Sequence, residues 1–192
     1  MEEKNIFIHH YIPVPKNFQS VETGRKFSAC IQCSKALLNE ETQYVIQKIM
    51  KGEETITEYA FCLECYQALE KSYSKQSMTN IWNFILDSVN FDERNQKLWS
   101  ENPENVEAWL RACLTCGKLR DICPVYGIFA FCDGEDIFFH NLPYMFCDEC
   151  MITLNELMSE KTKEQWDRWK EENLDDPPSI AKDIPDESFV LV

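Results

Sequence analysis

Cysteine is the residue whose number and spacing could do chemistry in this chain: there are ten, and eight fall into four C-x-x-C pairs. The pairs are Cys30/Cys33, Cys62/Cys65, Cys113/Cys116 and Cys147/Cys150, with 28 residues between the first two and 30 between the last two. Two such pairs can set four thiolates tetrahedrally around one Zn2+, at Zn–S distances of about 2.3 Å. The two quartets therefore predict two zinc ions. Catalytic zinc usually keeps three protein ligands and one position for water, so four-cysteine sites are closed and read as structural. A disulfide framework needs an oxidising compartment. The opening ten residues show no basic stretch followed by an apolar one, so no secretory signal is visible. A lone C-x-x-C could be a redox pair; four in matched couples argue against it.

Cys123 and Cys132 stand outside the quartets. Cys123 precedes Pro124, and Cys132 ends an expected strand, so both read as buried or half-buried thiols. A redox pair, auxiliary metal ligands, or replacement of a ligand in the second quartet remain open for them. Of the three histidines, His9 and His10 fall within residues 6–14, which look like an edge strand, and His140 precedes Asn141. No phosphate-cradling glycine loop, G-x-S-x-G elbow or H-E-x-x-H is present, and five glycines leave little room for one.

The elements that must position the cysteines form an internal repeat. Cys62 and Cys147 are 85 apart, and Leu69/Leu154, Ser74/Ser159, Ser77/Thr162, Ile81/Trp166 and Phe84/Trp169 keep that offset. Cys30 and Cys113 are 83 apart, which leaves a two-residue length difference between the knuckles of each copy. Residues 44–50 and 55–61 read as strands joined by a turn at 51–54. Residues 126–132 and 137–139 flank Asp133-Gly134, a strong hairpin signal. Each hairpin leads into a second C-x-x-C and then a helical pattern, so the last ligand pair is expected at a helix N-terminus, where free N–H groups favour thiolates.

A zinc knuckle, a β-hairpin and a helix whose first turn carries the second ligand pair resembles the treble-clef zinc finger, over residues 30–73 and 113–158. The resemblance implies ligand roles for Cys30, Cys33, Cys62 and Cys65 and for Cys113, Cys116, Cys147 and Cys150. It implies a fold and a metal but no activity, since treble clefs serve many functions. Some treble-clef nucleases use a histidine at a hairpin end to activate water, which makes His140 a residue to check. That chemistry needs a second metal-holding histidine on the following helix, and 151–172 has none. Asn155, Glu156 and Glu160 could hold a hard cation there. An enzyme is not expected.

Helical patterns complete each half. Ser77 is the expected N-cap of 78–89, and Thr162 with Gln165 forms a capping-box pattern ahead of Trp166 and Trp169. Asn102-Pro103-Glu104 is expected to start a helix through Val106 and Trp109, with 90–101 as a link between repeats. Most of the five tryptophans are expected in the core, and an exposed one would mark a binding face. The fold class is thus α+β, with two treble-clef-like units in tandem and extra helices. The expected divisions are residues 1–100, residues 101–172 and an acidic tail at 173–192, whose apolar end at 189–192 either packs on its own domain or serves as a docking segment.

Charge points to the class of partner. Nineteen Lys and Arg oppose 33 Asp and Glu, a net of −14; residues 1–100 carry −2 of it and residues 101–192 carry −12. Nucleic-acid binding needs clustered cations, so nucleic acid is not the favoured partner. No apolar run reaches the roughly 18–20 residues of a membrane span. The expectation is a soluble, cytoplasmic, non-enzymatic interaction module. Its partner is expected to be a basic protein, and an immunity or inhibitor protein directed at a cationic toxin is the specific form. The competing expectation is a transcription-related or nucleic-acid-binding zinc protein, whose mark would be an exposed cluster of Arg25, Lys26, Lys35, Lys48 and Lys51. A metal-dependent hydrolase around His140 ranks last.

Overall fold

The computed structural model describes residues 10–174. Most of the expected acidic tail, from residue 175 onward, and residues 6–9 of the expected edge strand lie outside the described residues. The fold is α+β: among the described residues six α-helices accompany one antiparallel sheet. The sheet is built from β1 (His10–Pro13), β2 (Gln43–Lys51), β3 (Glu54–Cys62), β4 (Val125–Asp133), β5 (Asp136–Phe139) and β6 (Tyr144–Cys147). Their order is β1-β5-β4-β2-β3, with β6 also on β4. Isoleucine, valine, tyrosine and phenylalanine dominate these strands, and such side chains pack well on a pleated surface.

The central ladder joins the two repeats. β2 pairs with β4 over nine residue pairs, from Gln43 opposite Asp133 to Lys51 opposite Val125, centred on Gln47 opposite Phe129. One continuous sheet therefore crosses the boundary between residues 1–100 and 101–172. Its centre behaves as a pseudo-twofold axis, as in an isologous dimer fused into one chain. The first hairpin forms as the spacing predicts, with β2 against β3. The second differs. Its return strand is split, so that β5 pairs with 131–133 of β4 and β6 with 126–129. β1 extends this broken edge by pairing with β5.

Helices α1 (Leu63–Ser72), α2 (Lys75–Ser88), α3 (Phe91–Glu101), α4 (Val106–Trp109), α5 (Asp148–Glu156) and α6 (Glu160–Asn173) surround the sheet. The segment 90–101, expected as a link, is mostly helix α3. Asn90 caps it by accepting the Glu93 N–H, and Asp92 and Glu93 complement the positive end of its dipole. The helix expected from Asn102-Pro103-Glu104 is one turn only, capped by Asn105.

The caps of α2 and α6 are each three residues earlier than expected, and for one reason. Each turn carries two hydroxyl residues three apart, and both members are used. Ser74 caps α2 by accepting the Ser77 N–H, and Ser159 caps α6 by accepting the Thr162 N–H. Ser77 and Thr162 instead reach across the pseudo-axis. The Ser74 N–H donates to Thr162 Oγ1 at 3.0 Å, and the Ser159 N–H donates to Ser77 Oγ at 2.8 Å. Ser74 and Ser159 hydroxyls meet at 2.9 Å, as do those of Ser77 and Thr162. Two helix N-termini that would repel through their dipoles are thus joined by four hydroxyls that satisfy their free N–H groups.

Tyr59 and Phe61 of β3 pack on Trp169 of α6, with ring centroids 5.4 and 4.8 Å apart. Gln47 shares that face of the sheet by register, is 1% exposed, and has no hydrogen-bond partner for either amide atom. Gly127 of β4 lets α5 approach closely: a Cβ there would lie 2.9 Å from Met151 Sδ. On the opposite face Lys48 is buried. Its Nζ meets Glu58 at 2.9 Å and donates to the Gln19 carbonyl at 2.7 Å, while Glu58 accepts the Val21 N–H. This pair fastens the loop before the first knuckle onto the sheet. Arg94 fastens α3 in a similar way, donating to the carbonyls of Asn141 and Pro143 between β5 and β6. Among the described residues no helix is long and apolar enough to cross a membrane.

Candidate metal centres

The first C-x-x-C of each unit lies on a tight turn. In one, the Ser34 N–H donates to the Cys30 carbonyl and the Cys30 N–H to the Lys35 carbonyl, both at 2.9 Å. In the other, Gly117 and Cys113 donate in the same way to Cys113 and Lys118, at 3.0 and 2.8 Å. The turn requires a left-handed residue after the second cysteine, and Ser34 and Gly117 supply it with φ of 60° and 71°. Each knuckle is tied to its own hairpin by one backbone bond, Ile31 N–H to Ala60 and Leu114 N–H to Met145.

The second C-x-x-C sits where a strand becomes a helix. Cys62 and Cys147 end β3 and β6 and are the N-cap residues of α1 and α5. Cys65 and Cys150 follow in the first helical turn, so the third and fourth sulfurs lie at a positive helix end, as the pattern predicts. All eight cysteines converge. Cys30, Cys33, Cys62 and Cys65 form one group, and Cys113, Cys116, Cys147 and Cys150 another, with sulfurs in each group within 4.8 Å of one another. Cys33 and Cys62 sulfurs are 3.6 Å apart, as are those of Cys116 and Cys147. A regular tetrahedron with that edge places its centre about 2.2 Å from each sulfur, which fits a thiolate-bound metal ion.

Protonation favours the same occupant. The Lys35 backbone N–H lowers the pKa of Cys33. Hydrogen bonds from Cys147 and Cys150 hold Cys113 far below the usual thiol range. Others are held protonated: burial pushes Cys62 up to about 11, and its bond to Cys113 pushes Cys150 up to about 12. Four close thiolates repel one another, and only a cation at their centre lets all four ionise together.

A lysine–carboxylate contact flanks each group, which the cysteine spacing alone does not reveal. Lys35 bonds Glu64 at 2.7 Å, and Lys118 meets Glu149 at 3.1 Å and Asp148 at 3.5 Å. These pairs bridge the first knuckle of each unit to the second. Glu64 draws the Lys35 pKa upward, with Cys62 and Cys33 adding to the pull, and Lys35 lowers Glu64 to about 2. The signal was present in the repeat: the lysines are 83 apart and the glutamates 85, the same offsets as the cysteines beside them.

Cys123 and Cys132 belong to neither group. Cys123 is buried and donates its S–H to the Leu119 carbonyl at 3.2 Å. Cys132 is fully buried on β4, opposite Tyr44, and burial raises its pKa. His140 is exposed, stacked on Phe138 with centroids 6.2 Å apart, and the carboxylates of α5 join no metal group among the described residues. Of the five basic residues that could have marked a nucleic-acid face, Lys48 is internal, while Lys26 and Lys35 are paired with Glu135 and Glu64. Trp82 is the exposed tryptophan, at 43%, whereas Trp109, Trp166 and Trp169 are buried. Comparison with known protein families, curated proteins and solved structures gives no match.

Proposed function

We propose that this chain is a non-enzymatic, zinc-stabilised interaction module for a basic protein, with an acidic immunity or inhibitor protein as its specific form. Zinc is the metal that four thiolates in a closed tetrahedron suit best, and ten free cysteines fit a reducing compartment such as the cytoplasm. Four sulfur ligands leave no coordination position for a substrate, which supports a structural role for both ions. The observation that carries the basic partner is the end of the sheet. The β4–β5 turn packs on residues 39–42, with the Gly134 N–H donating to the Thr42 carbonyl. This gathers Glu40, Glu41, Asp133, Glu135 and Asp136, of which Glu135 alone is paired with a lysine among the described residues.

A field of one sign steers a partner of the other and accelerates encounter in a salt-dependent way. The test is affinity capture at low salt followed by association kinetics. A basic partner should be recovered, and its association rate should fall as salt rises. Glu40→Lys with Glu41→Lys should slow association about tenfold while leaving the fold intact. Capture of no basic partner, or a rate indifferent to salt and to both substitutions, refutes the reading.

A further inference from the structure

Helices α1 and α2 do not close completely on the sheet. Between them lies a cavity of about 300 Å3, the lower end of the range for small-ligand sites. Its walls are mostly apolar, with aliphatic side chains such as Val45, Ile85 and Leu114 beside the rings of Tyr66 of α1, Trp82 of α2, Phe91 at the start of α3, and Phe129, Phe131 and Tyr144 from the sheet. One ionisable acid, Glu70 of α1, lines it as well. Its carboxylate accepts a hydrogen bond from the Tyr66 hydroxyl at 3.1 Å, and no lysine or arginine pairs with it among the described residues. Arg94 is occupied elsewhere. It donates to the Asn141 and Pro143 carbonyls and lies over the Trp109 ring, 5.0 Å from its centroid.

A half-buried carboxylate without a cation is costly beside apolar rings. The same surroundings suit an organic cation, because ring faces carry negative potential and add to the pull of the carboxylate. We propose that this cavity receives a cationic side chain of the partner, a guanidinium or ammonium group, with Glu70 as its counter-ion and Trp82 as the exposed wall it meets first. The inference rests on the reading of a basic partner and supplies the contact that would anchor it: one aromatic-lined, charge-bearing pocket of the kind that dominates interface energy. Burial raises the Glu70 pKa, consistent with an environment that lacks its cation.

The test uses the full chain with both metal sites loaded. n-Butylguanidinium, n-butylammonium and neutral n-pentanol are titrated in turn, and binding is read from Trp82 indole shifts and from fluorescence. Saturable binding of at least one cation, stronger than that of n-pentanol, is expected, and the comparison of the two cations tells which side chain fits better. Glu70→Gln keeps a partner for the Tyr66 hydroxyl and should weaken cation binding about tenfold. Trp82→Ala, on an exposed position, should weaken it with amide spectra otherwise unchanged. Equal binding of n-pentanol and the cations, equal binding to the Glu70→Gln variant, or no saturable shift overturns the proposal. Because these probes are free cations, such a result leaves the basic-partner reading to be judged by capture and salt dependence alone.

Discussion

Replacing Cys116 by serine separates the metal from the packing. Cys116 is exposed, so exchange of sulfur for oxygen removes little core contact. A surface change of that kind usually alters stability by no more than about 0.5 kcal/mol. A structural zinc contributes apparent binding free energy of about 10–16 kcal/mol in finger peptides, against a total stability of about 5–15 kcal/mol for a whole domain. If one lost thiolate weakens the site by only about 5 kcal/mol, the midpoint should fall by about 10–20 °C for a chain of this size. The shared β2–β4 ladder adds a second expectation. Both units should melt in a single transition, since nine residue pairs of sheet couple them. Metal content by mass spectrometry should drop from two ions per chain to one, and calorimetry should follow the midpoint. Cys123→Ser is the control: it is buried but outside both groups, so two ions should remain and the cost should be about 1 kcal/mol. Two ions and an unchanged midpoint in Cys116→Ser refute the ligand assignment. Two separate transitions refute the coupling.

Three further outcomes are expected. Gln47→Met removes a buried amide with no partner and should stabilise the chain by about 1 kcal/mol in urea unfolding; a loss of stability would show that the amide is satisfied in solution. Lys48→Met strands the Glu58 carboxylate, whose side chain is 14% exposed, and should cost about 3 kcal/mol, whereas adding Glu58→Leu should restore at least half of that. Glu70→Gln should raise the melting midpoint at pH 7. Burial raises the folded pKa of this carboxyl, so the folded chain holds the proton more tightly than the unfolded one, and the penalty grows as pH rises through the raised pKa. The gain should vanish below about pH 4, where both states are protonated. A midpoint difference independent of pH would place the effect in packing instead.

The two four-cysteine groups, each able to hold a metal ion, were legible because spacing is local information. A C-x-x-C followed by a left-handed residue makes a knuckle by itself, and a cysteine at a helix N-cap needs only the pattern of its own neighbours. The offsets of 83 and 85 also carried the repeat, and with it the unnoticed lysine–glutamate bridges. The caps of α2 and α6 were misplaced by one turn because either hydroxyl of Ser74/Ser77 or Ser159/Thr162 could start a helix. Only their meeting across the pseudo-axis assigns the second of each pair elsewhere.

The sequence by itself determined two four-cysteine groups, the first hairpin and the helices that begin on the second cysteine pairs, since each depends on residues close along the chain. Tertiary structure decided what those units do together. A hairpin pattern specifies its own two strands and leaves the outer edge of each open, so nothing local requires β2 to pair with β4. Burial of a lysine beside Glu58, the break between β5 and β6 held by Arg94, and the cavity around Glu70 all depend on surfaces brought together from distant residues. Charge followed the same division. Sequence counts the carboxylates, and the β4–β5 turn against residues 39–42 decides which of them lie together at one end of the sheet.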